Sequence, residues 1–202
     1  MSPRAARRGV TAALLLAASP AAAQVASLEP SAFSFAVGAG SSLPLGDLEG
    51  LRRGFAVTAG LDWRPDRARR LGARLSGALT RFRTPPAGLR TVDGDLLTGD
   101  IEQSSLALLG TVAPWRSRGG VEWSVFAGPA IAFTVATIGL QGGPLPVRSE
   151  PETRASVQAG TALRIPAGPV TLLLELRYHW VPRGLFGEEP AHSVPITLGF
   201  AL

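Results

Sequence analysis

Hydrophobic and polar residues alternate with period two along most of the chain, in eight segments separated by turn formers, and each segment predicts a β-strand. Phe33, Phe35, Val37 and Ala39 alternate with Ser34, Ala36, Gly38 and Gly40. Phe55, Val57, Ala59, Leu61 and Trp63 alternate with Ala56, Thr58, Gly60, Asp62 and Arg64. Leu71 to Leu79 alternate with Gly72 to Thr80. A fourth segment, about 101–113, is the least regular and sets Leu106, Leu108, Gly110 and Val112 against Ala107, Leu109 and Thr111. Val121 to Phe133, Ala155 to Ile165, Val170 to Trp180 and Val194 to Leu202 supply the odd or even positions of the other four. In every segment one face is apolar and the other small or charged, as in a wall with two different solvents.

The links between segments run long, short, long, short. Long ones are expected at about 41–53, 84–100, 140–153 and 182–192, and short ones at about 65–70, 114–119 and 166–169. The short links hold Pro65-Asp66, Arg118-Gly119-Gly120 and Pro166-Ala167-Gly168-Pro169, all turn formers. A strict rhythm of this kind, on an even number of strands, is that of an outer-membrane barrel with short periplasmic turns and long outer loops. The apolar face carries Trp63 and Trp123 beside short turns, and Tyr178 and Trp180 before a long loop. These four are expected as interface aromatics at the two lipid–water boundaries. The opposite face carries Asp62, Arg74, Glu122, Arg164, Glu175 and Arg177, among many Gly and Ala, with Arg154 and His179 on the same face. Eight strands leave an interior just wide enough for side chains to fill. Buried charge is costly unless paired, so the six are expected to form a lumenal ion-pair network with a structural role.

The first 23 residues break this pattern. Arg4, Arg7 and Arg8 precede an apolar run from Val10 to Ala18, then Ser19-Pro20 and Ala21-Ala22-Ala23. A basic start, a short apolar run and small residues at a cleavage point predict a secretory signal peptide over 1–23, with the barrel over 24–202. No apolar run after it approaches the 18 or more residues of a transmembrane helix.

Composition agrees with an apolar, exported β-protein. Charged residues are 17% of the chain, against about 25% in an ordinary soluble domain. There is no cysteine, which excludes disulfides, thiolate metal sites and cysteine nucleophiles. All 20 basic residues are arginine, so the high isoelectric point is set by a side chain that stays charged at any ordinary pH. Without the leader the balance is 17 arginines against 15 acids, and the arginines form no stripe suited to nucleic acid.

The segment from Val37 to Asp47, with Gly38, Gly40, Leu45 and Gly46, followed by Gly54 to Gly60, resembles the first hairpin of the small eight-stranded outer-membrane β-barrel superfamily, the outer membrane protein beta-barrel domain families. The resemblance covers nearly the whole mature chain in strand count and loop rhythm, and its motifs are degenerate. The apolar positions 194, 196, 198, 200 and 202, with Phe200 aromatic, resemble the signal read by the outer-membrane insertion machinery, although the chain has Leu202 where the family usually has Phe. The resemblance implies an all-β, eight-stranded antiparallel up-and-down transmembrane β-barrel in the cell outer membrane. It implies contact with outer-membrane lipid and lipopolysaccharide, and no attached peptidoglycan-binding domain is expected.

Catalytic candidates are few. Some barrels of this size modify lipid A with a Ser–His–acid set, but this chain has two histidines. His179 is expected to face the lumen, and His192 to lie in the last loop beside Ser193, with Glu188 and Glu189 near. A base must lie within hydrogen-bond reach of its nucleophile, which adjacent loop residues rarely satisfy. Asp93, Asp95 and Asp100 alternate with Gly in the second long loop, without the spacing of a calcium loop. The sequence therefore predicts no enzyme, cofactor, metal or nucleic-acid partner. A monomeric structural or surface-interaction barrel with a filled lumen is expected. The alternatives are a narrow channel for small solutes and a soluble exported ligand-binding barrel with the faces reversed.

Overall fold

A computed structural model describes residues 32–65, 70–90, 96–140, 145–183 and 189–202. The leader over 1–23 lies outside the described residues, as do Asp93, Asp95 and Glu188. Ten strands are present among the described residues: β1 (Phe33–Gly46), β2 (Arg52–Trp63), β3 (Leu71–Arg83), β4 (Leu89–Arg90), β5 (Leu96–Arg116), β6 (Glu122–Leu140), β7 (Val147–Arg148), β8 (Glu152–Ala167), β9 (Val170–Val181) and β10 (Ala191–Ala201). Eight long strands form a closed wall in the order β1-β2-β3-β5-β6-β8-β9-β10, with β10 pairing back to β1. All the pairings are antiparallel, and apart from the β1–β10 closure each joins wall strands that follow one another in sequence, so the barrel is up-and-down. Closure gives both sides of every wall strand a partner. The two-residue β4 and β7 extend the β5–β6 hairpin beyond the wall.

The alternation of burial follows the alternation of sequence. Odd positions of β3 from Leu71 to Leu79 face out, whereas Arg74, Ser76, Thr80 and Phe82 face in and are buried. Proline does not end the strands, but it interrupts their ladders because it has no N–H to donate. The β5–β6 pairing skips Leu108–Leu109 opposite Gly128–Pro129, and the β9–β10 pairing skips Arg177–Tyr178 opposite Val194–Pro195, both without a change of register.

Several links differ from their expected bounds. The second long link ends at 95, because pairing with β3 and β6 starts β5 at Leu96 and puts Asp100 within the strand, opposite Arg83. The first long link is only 47–51, because β1 continues through Ser41-Ser42-Leu43-Pro44 to Gly46. Its turn-forming composition is overridden by β10, which pairs with β1 as far as Gly46. Beyond Ser42 this strand has no β2 partner, and Pro44 falls in that one-sided stretch. The second short link lies at 117–121, because a bulge between Val112 and Trp115 carries β5 on to Arg116 and sets Trp115 opposite Trp123. The fourth long link ends at Pro190, which puts His192 within β10.

Candidate functional site

The lumen holds the charged groups, and it is layered. At the short-turn end Asp62 of β2 is the hub. Arg74 of β3 donates to it twice, Nε to Oδ1 at 2.8 Å and Nη2 to Oδ2 at 3.2 Å. Arg164 reaches across the lumen from β8 and donates from Nη2 to Oδ2 at 2.7 Å. Arg74 also spans to β9, where Nη1 meets Glu175 Oε2 at 2.5 Å. The other Glu175 oxygen accepts from Arg177, Nη2 at 2.5 Å and Nε at 3.1 Å. Glu122 takes Arg64, Nη1 to Oε1 at 2.6 Å, and the more distant Arg116, Nε to Oε2 at 3.7 Å. Asp62, Arg74, Glu122, Arg164, Glu175 and Arg177 are each under a tenth exposed; Asp62 and Glu175 serve the three arginines, and Glu122 serves Arg64 and Arg116.

Neutral groups complete the set. Arg177 Nη1 donates to Gln158 Oε1 at 2.8 Å and Nη2 to Ser76 Oγ at 2.9 Å, and Gln158 Nε2 donates to Ser105 Oγ at 2.8 Å. One chain of bonds thus links β3, β9, β8 and β5. Phe126 of β6 lies between the two central cations, its ring centre 5.2 Å from Arg74 Cζ and 5.5 Å from Arg177 Cζ, within cation–π range. Gly160 makes room for that ring, since a Cβ there would lie 2.6 Å from Phe126 Cζ. The space left beside Arg74, Ser76, Glu175 and Arg177 is a cavity of about 10 Å³ for the centre of a water, enough for one molecule at most.

Above the charges lies an uncharged polar layer. His179 Nε2 and Ser156 Oγ are 3.1 Å apart, and Ser193 Oγ donates to Gln103 Oε1 at 3.5 Å. The outer mouth is then closed by apolar groups. The turn after β1 folds inward, held by Leu48 N to Leu45 O at 3.3 Å and Leu51 N to Leu48 O at 3.1 Å. Leu48 and Leu51 join Phe82, Ile101, Ala132, Ala136, Val181 and Ala191 in one buried cluster. The lumen therefore runs from charged through polar to apolar, with one half-buried ion pair, Arg154 Nη2 to Glu152 Oε2 at 2.6 Å, beside the apolar cap.

Sequence reasoning missed this cap, and it missed Arg64, Ser76, Ser105, Phe126 and Gln158 as partners of the ion pairs. Strand parity already placed Ser76, Phe126 and Gln158 on the inward face. Nothing in the pattern marked Leu48 or Leu51, which lie in a turn. The aromatic candidates Trp63, Trp123 and Tyr178 face outward and are exposed, and Trp180 is half-buried. Trp115, outward beside Trp123, joins them. Trp123 Nε1 donates to Thr161 Oγ1 at 2.5 Å, which satisfies the indole at an apolar surface.

The adjacent His192 and Ser193 are held apart by the strand. His192 faces outward, where its Nδ1 bonds the Tyr178 hydroxyl and the rings stack, whereas Ser193 is buried in the lumen. Among the described residues no group of three or more His, Asp and Glu side chains could hold a metal ion.

No protein-family model and no curated protein matches the chain. Solved structures do. Neisserial surface protein A superposes with a TM-score of 0.57 at 16% identity, over 85% of this chain and 97% of that one. A major outer membrane protein from Thermus thermophilus superposes with a TM-score of 0.54 at 15% identity, over 84% and 97%. At such identities the likeness is one of fold: this chain has the fold of the small eight-stranded outer-membrane barrels.

Proposed function

We propose that the chain is an integral outer-membrane barrel whose wall anchors it in lipid, whose lumen is filled, and whose role is structural or surface-interacting through its outer loops. The observation that carries this reading is the inversion of the barrel. Leu61, Leu75, Leu108, Ile131, Leu174 and Leu198 are exposed around the outside, whereas the charged side chains Asp62, Arg74, Glu122, Arg164, Glu175 and Arg177 are buried within. A water-soluble barrel of this arrangement would expose apolar surface far beyond the few hundred Å² a monomer tolerates. Lipid solvates that surface, and closure gives every wall strand a hydrogen-bonded neighbour on both sides.

The filled lumen supports a structural role over conduction. A hydrated ion meets the Asp62–Arg74–Glu175–Arg177 layer from one side and the Leu48–Phe82–Ile101 cap from the other. The ion pairs tie β2, β3, β8 and β9 across the interior, and a catalytic role is not part of this reading. Outer-membrane lipid and lipopolysaccharide are the expected surroundings. Insertion through the signal in β10, and a monomeric state, belong to the same proposal. The test is conductance of the folded protein in a planar bilayer. Negligible current is expected, and steady unitary current without mutation refutes the filled lumen.

A further inference from the structure

We propose that the inner mouth of the barrel, at the short links, binds an acidic peptide through its arginines. The inference rests on the membrane reading above only in calling this end periplasmic. Charge is divided along the barrel axis. The outer links and strand ends, 46–55, 81–103, 147–154 and 182–189, hold eight arginines and ten acidic residues. The rest of the chain after residue 23, with Glu29 before β1 and positions 66–69 included, holds nine arginines and five acidic residues. The outer end is therefore net negative by two charges and the inner half net positive by four, since the two chain ends cancel.

The positive half ends at the mouth, on the lumen side of the wall. Trp63, Trp115 and Trp123 face outward at this level, whereas the adjoining Arg64 and Arg116 turn inward to Glu122. Arg64 crosses β3 to reach it, over Gly72, where a Cβ would stand 3.0 Å from Arg64 Cγ. The wall thus separates these guanidinium groups from lipid. The first two short links are also joined, with Ala113 N donating to Arg70 O at 2.7 Å and Arg70 Nη1 to Pro114 O at 3.1 Å. Their arginines form one surface beside the mouth.

Glu122 shows the chemistry that this surface takes, a carboxylate between two guanidinium groups. Three arginines there have donors to spare. Arg70 and Arg118 are exposed and have no acidic partner among the described residues. Arg118 stands at the tip of a turn closed by Gly120 N to Ser117 O at 3.1 Å. Arg164 is 8% exposed, and its Nε is buried without a hydrogen-bond partner among the described residues. A buried donor left unpaired carries its full desolvation cost. These groups are spread over two links and the mouth, so one small anion cannot meet them together. An exposed carboxylate–guanidinium pair is weak alone. An acidic peptide supplies several carboxylates on one chain and meets them at once.

The test uses the protein folded in nonionic micelles and a fluorescent hexaglutamate, with hexaglutamine as its neutral counterpart, read by fluorescence anisotropy. Hexaglutamate is expected to bind about tenfold or more tighter than hexaglutamine, and to weaken about tenfold when salt rises from about 0.05 M to about 0.5 M. Arg70→Gln/Arg118→Gln should weaken it about tenfold, whereas Arg52→Gln/Arg53→Gln, which removes the same charge at the outer end, should leave it unchanged. The chain has no cysteine, so a single fluorophore can be placed on Gly119→Cys beside Arg118. A hexaglutamate carrying a quencher should quench that label and not one on Glu49→Cys in the outer turn, which locates the site without altering an arginine. Neither acetate at equal carboxylate concentration nor phosphatidylglycerol added to the micelle should displace the peptide. Equal binding of the two peptides, salt-insensitive binding, equal weakening by the two double variants, or equal quenching at both labels would each overturn the proposal. Displacement by acetate or by the lipid would also overturn it, the second by assigning the arginines to the membrane surface. Failure of the membrane reading is separate, because it is seen as folding without micelles.

Discussion

Replacing Glu175 by Gln removes one charge from the centre of the lumen while keeping shape and one carbonyl acceptor. Glu175 holds Arg74 at 2.5 Å with one oxygen and Arg177 at 2.5 Å with the other. The two guanidinium groups are unequally exposed to its loss. Arg74 keeps both bonds to Asp62. Arg177 keeps only the neutral acceptors Gln158 and Ser76, and its side chain is 2% exposed. Glu175 is the one carboxylate paired with Arg177 among the described residues, so its loss leaves one buried positive charge without a counter-ion. Removing one partner of a buried pair costs about 3–5 kcal/mol, and the retained amide acceptor places Glu175→Gln at about 3 kcal/mol, or roughly a hundredfold in the folding equilibrium. Adding Arg177→Gln removes the stranded charge, so the double variant should recover at least about 1 kcal/mol relative to the sum of the singles. Urea unfolding in lipid vesicles, followed by tryptophan fluorescence and by gel mobility without boiling, measures all four members of the cycle. A Glu175→Gln loss under about 1 kcal/mol with no coupling would mean that water already solvates Arg177. That result would refute the filled lumen, because charges so screened line a wet path.

Three further outcomes follow from other parts of the wall. Leu75 faces out at the middle of the β3 band, so Leu75→Arg should cost about 2–4 kcal/mol in vesicles, and a neutral result in the same urea assay would contradict immersion of that face. Leu48 is 1% exposed within the outer cap, so Leu48→Ala should cost about 2–5 kcal/mol and speed hydrogen exchange in the Gly46–Leu51 turn, without opening a conductance while the charged layer remains below. Gly199 and Gly40 close the β1–β10 seam so tightly that a Cβ on either would sit 1.9 Å from Val37 O or Ile196 O; Gly199→Val should therefore abolish the compact unboiled band, and a normal band would show that the seam can widen.

Strand number, order and facing were legible because the period of two holds wherever a wall separates two solvents. Asp62, Arg74 and Glu175 fall inward from parity alone. Their specific partners were not legible. Arg164 reaches Asp62 across the barrel from a strand about a hundred residues away, and only closure brings the two together. The Ser41–Gly46 extension of β1 was hidden because Ser and Pro are turn formers locally, and only the partner strand β10 overrides them. The inward fold of Leu48 and Leu51 was hidden for a similar reason: a turn has no periodicity from which to read a facing. The bulges at Arg53–Gly54 and Ala113–Pro114 reverse local parity, which is why Trp115 and the Arg52–Arg53 pair could not be assigned a side from alternation. Pro129 and Pro195 lie inside β6 and β10, where the apolar alternation that continues on both sides of each places them.

The central claim is that the apolar face of this barrel is solvated by lipid. Diluting the urea-unfolded chain into buffer with and without detergent micelles, then comparing boiled and unboiled samples on an SDS gel, tests it most directly. The account predicts a compact, fast-moving band that forms only with micelles and is lost on boiling. A monodisperse, folded protein in plain buffer would contradict it and would require the apolar face to be the interior.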